Sequence, residues 1–549
     1  MSSGEQVNGP LGYLRIGVLA DSRELMSWEA ELIRRIGELP SVSWLALIET
    51  GRPPKRRSKS TLSKVRQIPF RLVNRLERTK LKRSETFRSM FKSQSIEFLV
   101  REIQLVHPNW NRTGISWSLL DDDLEKVREM KLDVILRMGS GIISGGVLRA
   151  APFGILSLHH GDNRKYRGVP PGFWEVLNRE RTSGFVLQQL TEELDGGSVI
   201  ARGTVTTQSY FLRNQAHLFL SSVPRVVSAI EFLASSGELK VADPPVPYAY
   251  PLYRDPQPWP VLRYLGFQSL RMLQKGARRL SRRKGVWQVA IIRQHWRDAA
   301  LWKAQELRPA QGTWIADPFV IDYDGRTYCF VEEFVQALGR GRIAVYDTTN
   351  ADPQRLGVAI EEEFHLSFPF VFKFNGCLFM CPESADAGQI RLYRCLGSPL
   401  HWKLETVLID GLRAVDSMLI DLGNEWLLLT NVDETGAGDF ATGLWAYRAS
   451  SPLSTEWTPD PTNPVVTDSH CMRNGGLVSS RDSWFRIGQI ADFDSYGSEA
   501  SIQLITGSEL NEYSELASAR LVPDFWPGLR GIHHMSGTDL VTAFDVYRD

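Results

Sequence analysis

A histidine and an aspartate follow two apolar runs near the middle of this 549-residue sequence. His159 ends the run that starts at Gly154, and Asp195 lies in an acidic, glycine-rich loop after the run from Ser183 to Leu190. An imidazole moves protons near neutral pH, and a carboxylate can orient it or move a second proton. If the two runs are neighbouring strands, this pair is placed for a proton-transfer reaction.

Five short motifs surround this pair. In chain order they are Leu158-His159, Tyr166-Arg167-Gly168, Pro170-Pro171, Ser183-Gly184 and Leu194-Asp195-Gly196-Gly197. Their order and spacing resemble the signature of the formyltransferase family. The resemblance implies transfer of a formyl group from formyl-tetrahydrofolate to an amine, with His159 stabilising the oxyanion and Asp195 handling the proton.

One motif position differs from the family pattern. Where the family has an Asn two residues before the His, this sequence has Ser157. A hydroxyl reaches less far than an amide, so oxyanion stabilisation would fall on His159, a backbone N–H or Asn163. Ser157, His159, Asn163 and Asp195 are therefore the candidate catalytic residues. Tyr166 and Arg167 are candidates for substrate contact, with a purely structural loop role as the alternative.

A small-residue turn follows the apolar run from Leu132 to Arg137. Open α/β sheets bind ligands at the carboxyl ends of their strands, which is where this turn would lie. In the formyltransferases the matching turn lines the folate pocket. By that resemblance the cofactor-binding candidates are Met138, Gly139, Ile142 and Ile143. The alternative is a plain strand-to-helix turn.

The elements before this turn predict the sheet that positions it. Leu14 to Ala20 is a continuous apolar run, typical of a buried parallel strand. Ser22 to Leu39 has apolar residues at helical spacing, and Val42 to Glu49 reads as a second strand. This β-α-β opening predicts a doubly wound α/β domain over residues 12–243. No Gly-x-Gly-x-x-Gly follows the first strand, which argues against a dinucleotide.

Lys and Arg dominate residues 52–92, opposed only by Glu77 and Glu85. Such a segment could meet phosphates, an anionic membrane surface or an acidic partner, or it could be a solvated insertion between strands. Its aromatic residues are sparse, and the net charge of the whole chain is only +1, so nucleic acid is a weak expectation. Peripheral membrane contact through this segment stays open.

The composition predicts a cytoplasmic protein. Hydrophobic residues make up 43% of the chain, which is ample for buried cores. Its five cysteines lie mostly inside apolar runs without ligand-like spacing, so we expect reduced core residues and no metal site. The first ten residues are polar and resemble no signal peptide. No apolar run approaches the ~20 residues that cross a bilayer.

The second half of the chain has a different sequence pattern. Residues 244–285 are a Pro/Tyr-rich linker followed by a basic helix, and from residue 286 the pattern is all-β. A turn followed by an apolar-aromatic strand recurs every ~50 residues, the size of a four-stranded propeller blade. Five copies predict a five-bladed β-propeller over residues 286–549. The copies start at Asp324, Asn375, Gly423, Arg481 and Gly537.

The strand before each repeated turn contains polar residues. Because the innermost strands of a propeller converge on its axis, Asp317, Asp416, Arg473 and His533 could share one central funnel. The pattern resembles the propellers of furanosidase-type glycosidases, and more closely the propeller of plant glucosamine inositolphosphorylceramide transferases. Both resemblances imply a carbohydrate. Asp317 and Asp416 could supply the two carboxylates that glycoside hydrolysis needs, or could only tie blades together.

The sequence therefore predicts a formyltransferase that acts on an amino sugar and carries a glycan-binding propeller. One alternative is a glycosidase with an accessory first domain. Another is a carbohydrate-binding protein whose transferase site is degenerate, which Ser157 permits. The last is a methionyl-tRNA formyltransferase whose RNA contact is the basic segment.

Overall fold

The computed structural model describes residues 12–50, 65–81, 84–99, 102–104, 109–113, 116–139, 141–193, 196–243, 247–280, 285–435, 440, 442–481, 483–493, 495–507 and 513–548. Asp195 and residues 51–64 of the basic segment lie outside these ranges. The chain divides into two compact units, Met1–Met272 (unit 1) and Leu273–Asp549 (unit 2).

Unit 1 is built on a seven-stranded sheet of order β12-β11-β10-β8-β1-β3-β5. Its strands β10, β8, β1, β3 and β5 are parallel, and β11 and β12 add an antiparallel edge. The strand order reverses at β1, so the carboxyl ends of β1 and β8 flank a topological switch point. The strands of unit 1 are β1 Leu14–Ala20, β2 Glu24–Met26, β3 Val42–Glu49, β4 Ser93–Ser95, β5 Glu102–Gln104, β6 Trp110–Thr113, β7 Ser116–Leu119, β8 Val134–Met138, β9 Ile142–Ile143, β10 Ile155–His159, β11 Thr182–Gln189 and β12 Ser198–Thr206.

The predicted α/β organisation of unit 1 has a simple physical basis. Strand β1 is apolar on both faces, and all but one of its residues are buried, because helices cover both sides of a parallel sheet. The predicted helix over Ser22 to Leu39 begins only at Ser27, since residues 24–26 instead pair with β4. The helices are α1 Ser27–Glu38, α2 Ile68–Leu81, α3 Glu85–Ser89, α4 Asp121–Glu129, α5 Phe173–Asn178, α6 Phe211–Ser236 and α7 Pro258–Leu280.

Among the described residues, α6 is the one helix long and apolar enough to span a membrane by length and composition. Most of its apolar stretch is buried inside unit 1. It contacts α1, α2, α5, β11 and β12, so its apolar surface is used in packing the α/β core.

Residues 247–272, predicted as linker and basic helix, pack on unit 1, which corrects the linker part of that prediction. Tyr253 exchanges backbone hydrogen bonds with Arg167 and Val169. Tyr264 on α7 is buried, and its hydroxyl donates to Glu77 of α2. The helix itself is confirmed, and its first four turns belong to unit 1.

Unit 2 consists almost entirely of antiparallel strands in five sheets. Four sheets are consecutive four-stranded meanders, and the fifth joins the first strand of the unit, β13, to the last, β33. The strands are β13 Val286–Ile292, β14 Gln305–Glu306, β15 Thr313–Tyr323, β16 Arg326–Val335, β17 Arg340–Asp347, β18 Gln354–Ile360, β19 Ser367–Phe374, β20 Cys377–Glu383, β21 Gln389–Cys395, β22 Trp402–Asp410, β23 Ala414–Asp421, β24 Trp426–Val432, β25 Leu444–Ala449, β26 Thr458–Pro459, β27 Arg473–Ser480, β28 Ser483–Asp492, β29 Ser495–Gly507, β30 Ser514–Leu521, β31 Leu529–Gly531, β32 Met535–Gly537 and β33 Thr542–Arg548.

A bulge recurs in the first strand of each four-stranded meander. The register shifts between Ala316 and Phe319 in β15, and at matching places in β19, β23 and β27. In each bulge one residue has positive φ, namely Asp317, Phe368, Asp416 and Gly476. A bulge re-aims a side chain and bends its strand, so the repeat turns the same position of each sheet toward its neighbours. Two of them, Asp317 and Asp416, are polar residues that the sequence analysis singled out.

The five cysteines are free thiols, as predicted. Cys329 and Cys381 are fully buried, and burial raises the pKa of both. They act as small apolar core residues.

Candidate functional sites

His159 lies at the carboxyl end of β10, one strand from the switch point, and shares a face of that strand with Ser157. Its Nε2 lies 2.8 Å from the carbonyl oxygen of Tyr166. A carbonyl oxygen only accepts, so Nε2 carries a proton and neutral His159 can take up another at Nδ1. Gly161 permits this contact, because a Cβ there would lie 2.5 Å from the same carbonyl and 2.9 Å from Nε2.

The neighbouring His160 has a different role. Its ring packs edge-on against Trp28 and Phe219, with centroids 4.9 and 4.7 Å away. Its Nε2 lies 3.1 Å from the Ser222 hydroxyl. Burial lowers the pKa of His160 to about 3, and repulsion from His159 when both rings are protonated adds to this shift. His160 is therefore a neutral packing residue.

Asn163 is held by Arg202 of β12, which donates to its side-chain oxygen at 2.9 Å and to Asp162 at 2.8 Å. Asn163 is buried. Burial alone would raise the pKa of Asp162, but hydrogen bonds and charges from Arg164 and Arg202 outweigh it and lower that pKa. The side-chain oxygen of Asn163 is thus already used, and its amide NH2 is the group left for an oxyanion.

Tyr166 and Arg167, predicted to contact substrate, are tied into the loop itself. The Tyr166 hydroxyl donates to Glu180 at 2.8 Å and accepts from Asn178 at 3.1 Å. Arg167 donates to the Asn163 carbonyl oxygen at 2.8 Å, and its guanidinium lies over the ring of Tyr248. These contacts favour the structural role that the sequence left as the alternative.

The four predicted folate-lining residues separate into two pairs. Met138 and Ile143 are buried, and Ile142 and Ile143 form a strand paired with β7. Gly139 is exposed and Ile142 half-buried. A side chain at Gly139 would collide with Asp21 and Arg137, whose ion pair of 3.1 Å closes the switch point beneath the turn.

In unit 2, Asp317 and His533 do lie together, joined by a residue that the sequence reasoning missed. His533 is buried between two carboxylates, with Nε2 3.1 Å from Asp317 and Nδ1 3.0 Å from Asp545. Burial opposes its protonation, but the two carboxylates outweigh burial and raise the pKa of His533 to about 10. Asp545 also accepts the backbone N–H groups of Asp317, His533 and His534. The sequence signal that could have identified Asp545 is an acidic residue within the otherwise apolar run of β33.

Asp416 and Arg473 form the second buried pair, with Nε of Arg473 2.8 Å from the Asp416 carboxylate. Asn474 donates to the Asp416 carbonyl oxygen, and Gln489 to the Asn474 carbonyl oxygen. Burial raises the pKa of Asp416 despite Arg473, while the hydrogen bond and charge of His533 outweigh burial and lower the pKa of Asp317. The four predicted axis residues are thus two ion pairs.

Two further carboxyl groups and two aromatic rings complete this cluster. Burial raises the pKa of Glu383 to about 8 and that of Glu332 well above its usual range, with nearby acids adding to both shifts. Tyr496 is 47% exposed and lies over the guanidinium of Arg473 at 4.9 Å. The ring of Trp287 lies 4.0 Å from that of His533. We call Asp317, Glu332, Glu383, Asp416, Arg473, Tyr496, Trp287, His533 and Asp545 the axial cluster.

Comparison with known proteins places the two units in different relationships. Residues 304–541 match the family described as "Glucosamine inositolphosphorylceramide transferase 1, N-terminal". The glucosamine inositolphosphorylceramide transferase 1 of Arabidopsis thaliana is 35% identical over 232 residues, which is 40% of this chain and 30% of that protein. The chain spans about a third of the length of the relatives of this name.

The N-terminal region has a second set of relatives. The methionyl-tRNA formyltransferase of Clostridium beijerinckii is 29% identical over 121 residues, which is 22% of this chain and 39% of that protein.

Among solved structures, a thermostable family-43 glycoside hydrolase matches 44% of this chain and 90% of its own, with 15% identity and a TM-score of 0.34. The resemblance to both transferase families that the motifs predicted is confirmed.

Proposed function

We propose that this chain is a sugar-modifying transferase in which unit 1 formylates an amino sugar and unit 2 binds the glycan that carries it. The observation that carries the proposal is His159, at the carboxyl end of a parallel strand beside the switch point, with Nε2–H committed to Tyr166. The relatives named as transferases support the class, and the formyltransferases among them support the group transferred.

His159 acts as the proton acceptor in this proposal. Formyl-tetrahydrofolate, when bound, supplies the formyl carbon. Nδ1 of His159 takes the proton that the amine loses as its nitrogen bonds that carbon, and returns it to the nitrogen that leaves. This role differs from the predicted oxyanion role, since neutral His159 has no N–H to donate at Nδ1. The amide NH2 of Asn163 and the Ser157 hydroxyl remain the proposed donors, and Asp195 the proposed relay.

Unit 2 supplies the proposed glycan site. Its five sheets would be the blades of a closed propeller, because β15, β19, β23, β27 and β32 contact one another in a ring and β13 pairs with β33. The axial cluster combines the partly exposed ring of Tyr496 with Arg473 and Glu383. An aromatic surface beside a few fixed polar groups is the usual composition of a small-ligand site, and suits a sugar.

The test is a product assay on the full chain. The protein is incubated with formyl-tetrahydrofolate and a panel of free, nucleotide-linked and lipid-linked amino sugars, and N-formyl products are detected by mass spectrometry. His159→Gln should lower turnover about 10²–10⁴-fold, because it removes proton transfer at nearly constant volume. His401→Gln, an exposed histidine of unit 2, is the matched control and should leave turnover unchanged.

Ser157→Asn separates a working site from a degenerate one. If Ser157 limits a working site, restoring an amide at this position should raise turnover, with KM for the donor falling. If the His159→Gln variant turns over as fast as wild type, the proposed role of His159 is wrong. No product from any acceptor in wild type and in Ser157→Asn would leave unit 1 as a binding domain.

A second function is favoured by one observation. In the axial cluster the pKa of Asp317 is lowered, while the pKa values of Glu332 and Glu383 are raised. Acid–base hydrolysis of a glycoside uses one ionised and one protonated carboxyl group, which such a difference in pKa provides. Aryl furanosides are the substrates to try. Release of the aryl group that is lost in Glu383→Gln but kept in the exposed control Glu456→Gln would support a glycosidase.

A further inference from the structure

Two helices of unit 1 each have two apolar faces, only one of which is covered. Helix α2 buries Phe70, Val73 and Leu81 against the domain. Its other side exposes Ile68, Leu72 and Leu76, each more than half accessible. These three follow at intervals of four residues, so they form one stripe along the helix.

Helix α7 repeats this arrangement. Val261 and Tyr264 are fully buried, whereas Trp259 is 74% exposed and Leu262 57%. Farther along, Leu265, Leu270 and Met272 are also exposed. A helix of a soluble domain normally turns polar residues to solvent, so two adjacent helices with apolar outer stripes are unusual.

The two helices lie side by side on unit 1. The hydroxyl of Tyr264 in α7 donates to Glu77 in α2, and the side chain of Gln67 donates to Asp255 at 3.1 Å. Phe70 of α2 and Tyr264 of α7 both pack against the ring of Phe173, at 5.4 Å each. Because both helices bury one side on the same aromatic layer, their outer stripes face away from it together.

The exposed charged side chains that these two helices carry are all cations. Helix α2 carries Arg71, Arg75, Arg78 and Lys80. Its one acid, Glu77, is buried, and burial raises its pKa. Over residues 258–277, helix α7 carries the cations Arg263, Arg271 and Lys275 and no acid. The surface formed by α2 and by residues 258–272 of α7 is therefore apolar and cationic, and we call it the α2/α7 surface.

We infer that the α2/α7 surface docks on an anionic lipid bilayer, with its Trp, Leu and Ile side chains in the headgroup region and its arginines on lipid phosphates. Apolar stripes flanked by cations are the composition of helices that lie in the membrane interface. A second copy of this surface would bring like charges together, which opposes self-association. Nucleic acid would meet the cations but leave the exposed Trp and Leu side chains without a partner. Charge complementarity thus selects the bilayer.

The test is flotation of the full chain with vesicles of phosphatidylcholine alone or with added phosphatidylserine. We expect binding to the anionic vesicles that weakens with salt. Leu72→Gln/Leu76→Gln should reduce partitioning about tenfold or more, since apolar burial and charge act together. Arg71→Glu and Arg75→Glu should each cost at least about fivefold. The controls Leu516→Gln and Lys403→Glu, exposed residues of unit 2, should bind as wild type.

Three outcomes would overturn the inference. The first is wild type that does not float with anionic vesicles. The second is a Leu72→Gln/Leu76→Gln variant, folded by its melting profile, that floats like wild type. The third is a concentration-dependent dimer in sedimentation velocity that the same variant abolishes, which would assign the surface to a second copy. Formyl transfer to a soluble amino sugar should be unaffected by these substitutions, so failure here does not depend on the proposed chemistry.

Discussion

Both units contain two adjacent histidines, and the two pairs are used in opposite ways. In each pair one ring is held in an apolar environment that lowers its pKa, to about 3 for His160 and about 4 for His534. The other ring meets polar groups. His159 meets one carbonyl oxygen and keeps Nδ1 for a proton, whereas His533 is held between two carboxylates and stays charged. A histidine that exchanges protons needs one uncommitted nitrogen, and His159 has one at Nδ1, whereas both nitrogens of His533 face carboxylates.

Removing the carboxylate that joins the axial cluster should have the largest effect. Asp545→Ala leaves the His533 imidazolium with one carboxylate and strips the acceptor from three buried N–H groups. We expect unit 2 to lose about 3–5 kcal/mol, the usual cost of breaking a buried ion pair. Urea unfolding followed by tryptophan fluorescence measures this loss. Asp539→Ala, at an exposed turn, is the control and should be neutral.

The charge on His533 predicts that alkali destabilises unit 2. Its pKa in the folded chain is about 10, above the ordinary value of 6.5, so its contribution is complete below about pH 6.5 and is lost as the pH rises toward 10. The loss should be on the order of a few kcal/mol. Unfolding midpoints of unit 2 between pH 6 and 10 test this. A flat profile would mean that His533 is neutral in the folded chain.

The loop around His159 should be sensitive to a single methyl group. Gly161→Ala must displace the Tyr166 carbonyl or the His159 ring, and we expect about 1–3 kcal/mol of lost stability in unit 1 together with reduced turnover. Gly266→Ala is the matched control and should raise the stability of unit 1. A Cβ at this position meets nothing within 4 Å, and Gly266 lies in a helix, where Ala is more favourable than Gly. Thermal melting of both variants provides the comparison.

The smallest effect at neutral pH should come from His160→Phe. The ring already packs among Trp28 and Phe219, so the exchange costs only the hydrogen bond to Ser222, about 1 kcal/mol. In acid we expect the His160→Phe variant to become more stable than wild type. Because the folded pKa of His160 is about 3, wild type loses stability as the pH falls from about 6.5 toward 3, and the variant should lose less. Acid unfolding of the two proteins at equal salt would detect the pH at which their stabilities become equal.

The parts of the fold that depend on local pattern were predictable from sequence. The apolar run of β1, the motif order around His159 and the repeated turn-strand unit of unit 2 each signal their own element within a few residues. The limits of prediction lie in long-range pairing. The run from Ile96 to Val106 has the pattern of one strand, but the described residues of this run form a strand of the main sheet only at 102–104. The pairing of β2 with β4 shortened a predicted helix, and local periodicity carries no information about such partners.

The candidate sites show the same limit. Sequence reasoning proposed that Asp317, Asp416, Arg473 and His533 converge, but not that they pair as Asp317 with His533 and Asp416 with Arg473. Asp545 was missed because its acid lies in an otherwise apolar strand and acts on residues over 200 positions away, as in its bond to the Asp317 N–H. Sequence reasoning also did not predict that Met138 and Ile143 are buried while Gly139 is exposed, because the burial of a turn's side chains is set in three dimensions.

The pairing of β13 with β33 also has a consequence during synthesis. Val286–Ile292 leaves the ribosome some 250 residues before its partner Thr542–Arg548, since Val286 pairs with Arg548. Until then the last sheet lacks a strand, and the Asp545 acceptor for the Asp317 N–H has not been made. The nascent chain must therefore hold four nearly finished sheets around an incomplete fifth, which is the stage at which we expect it to depend on chaperones.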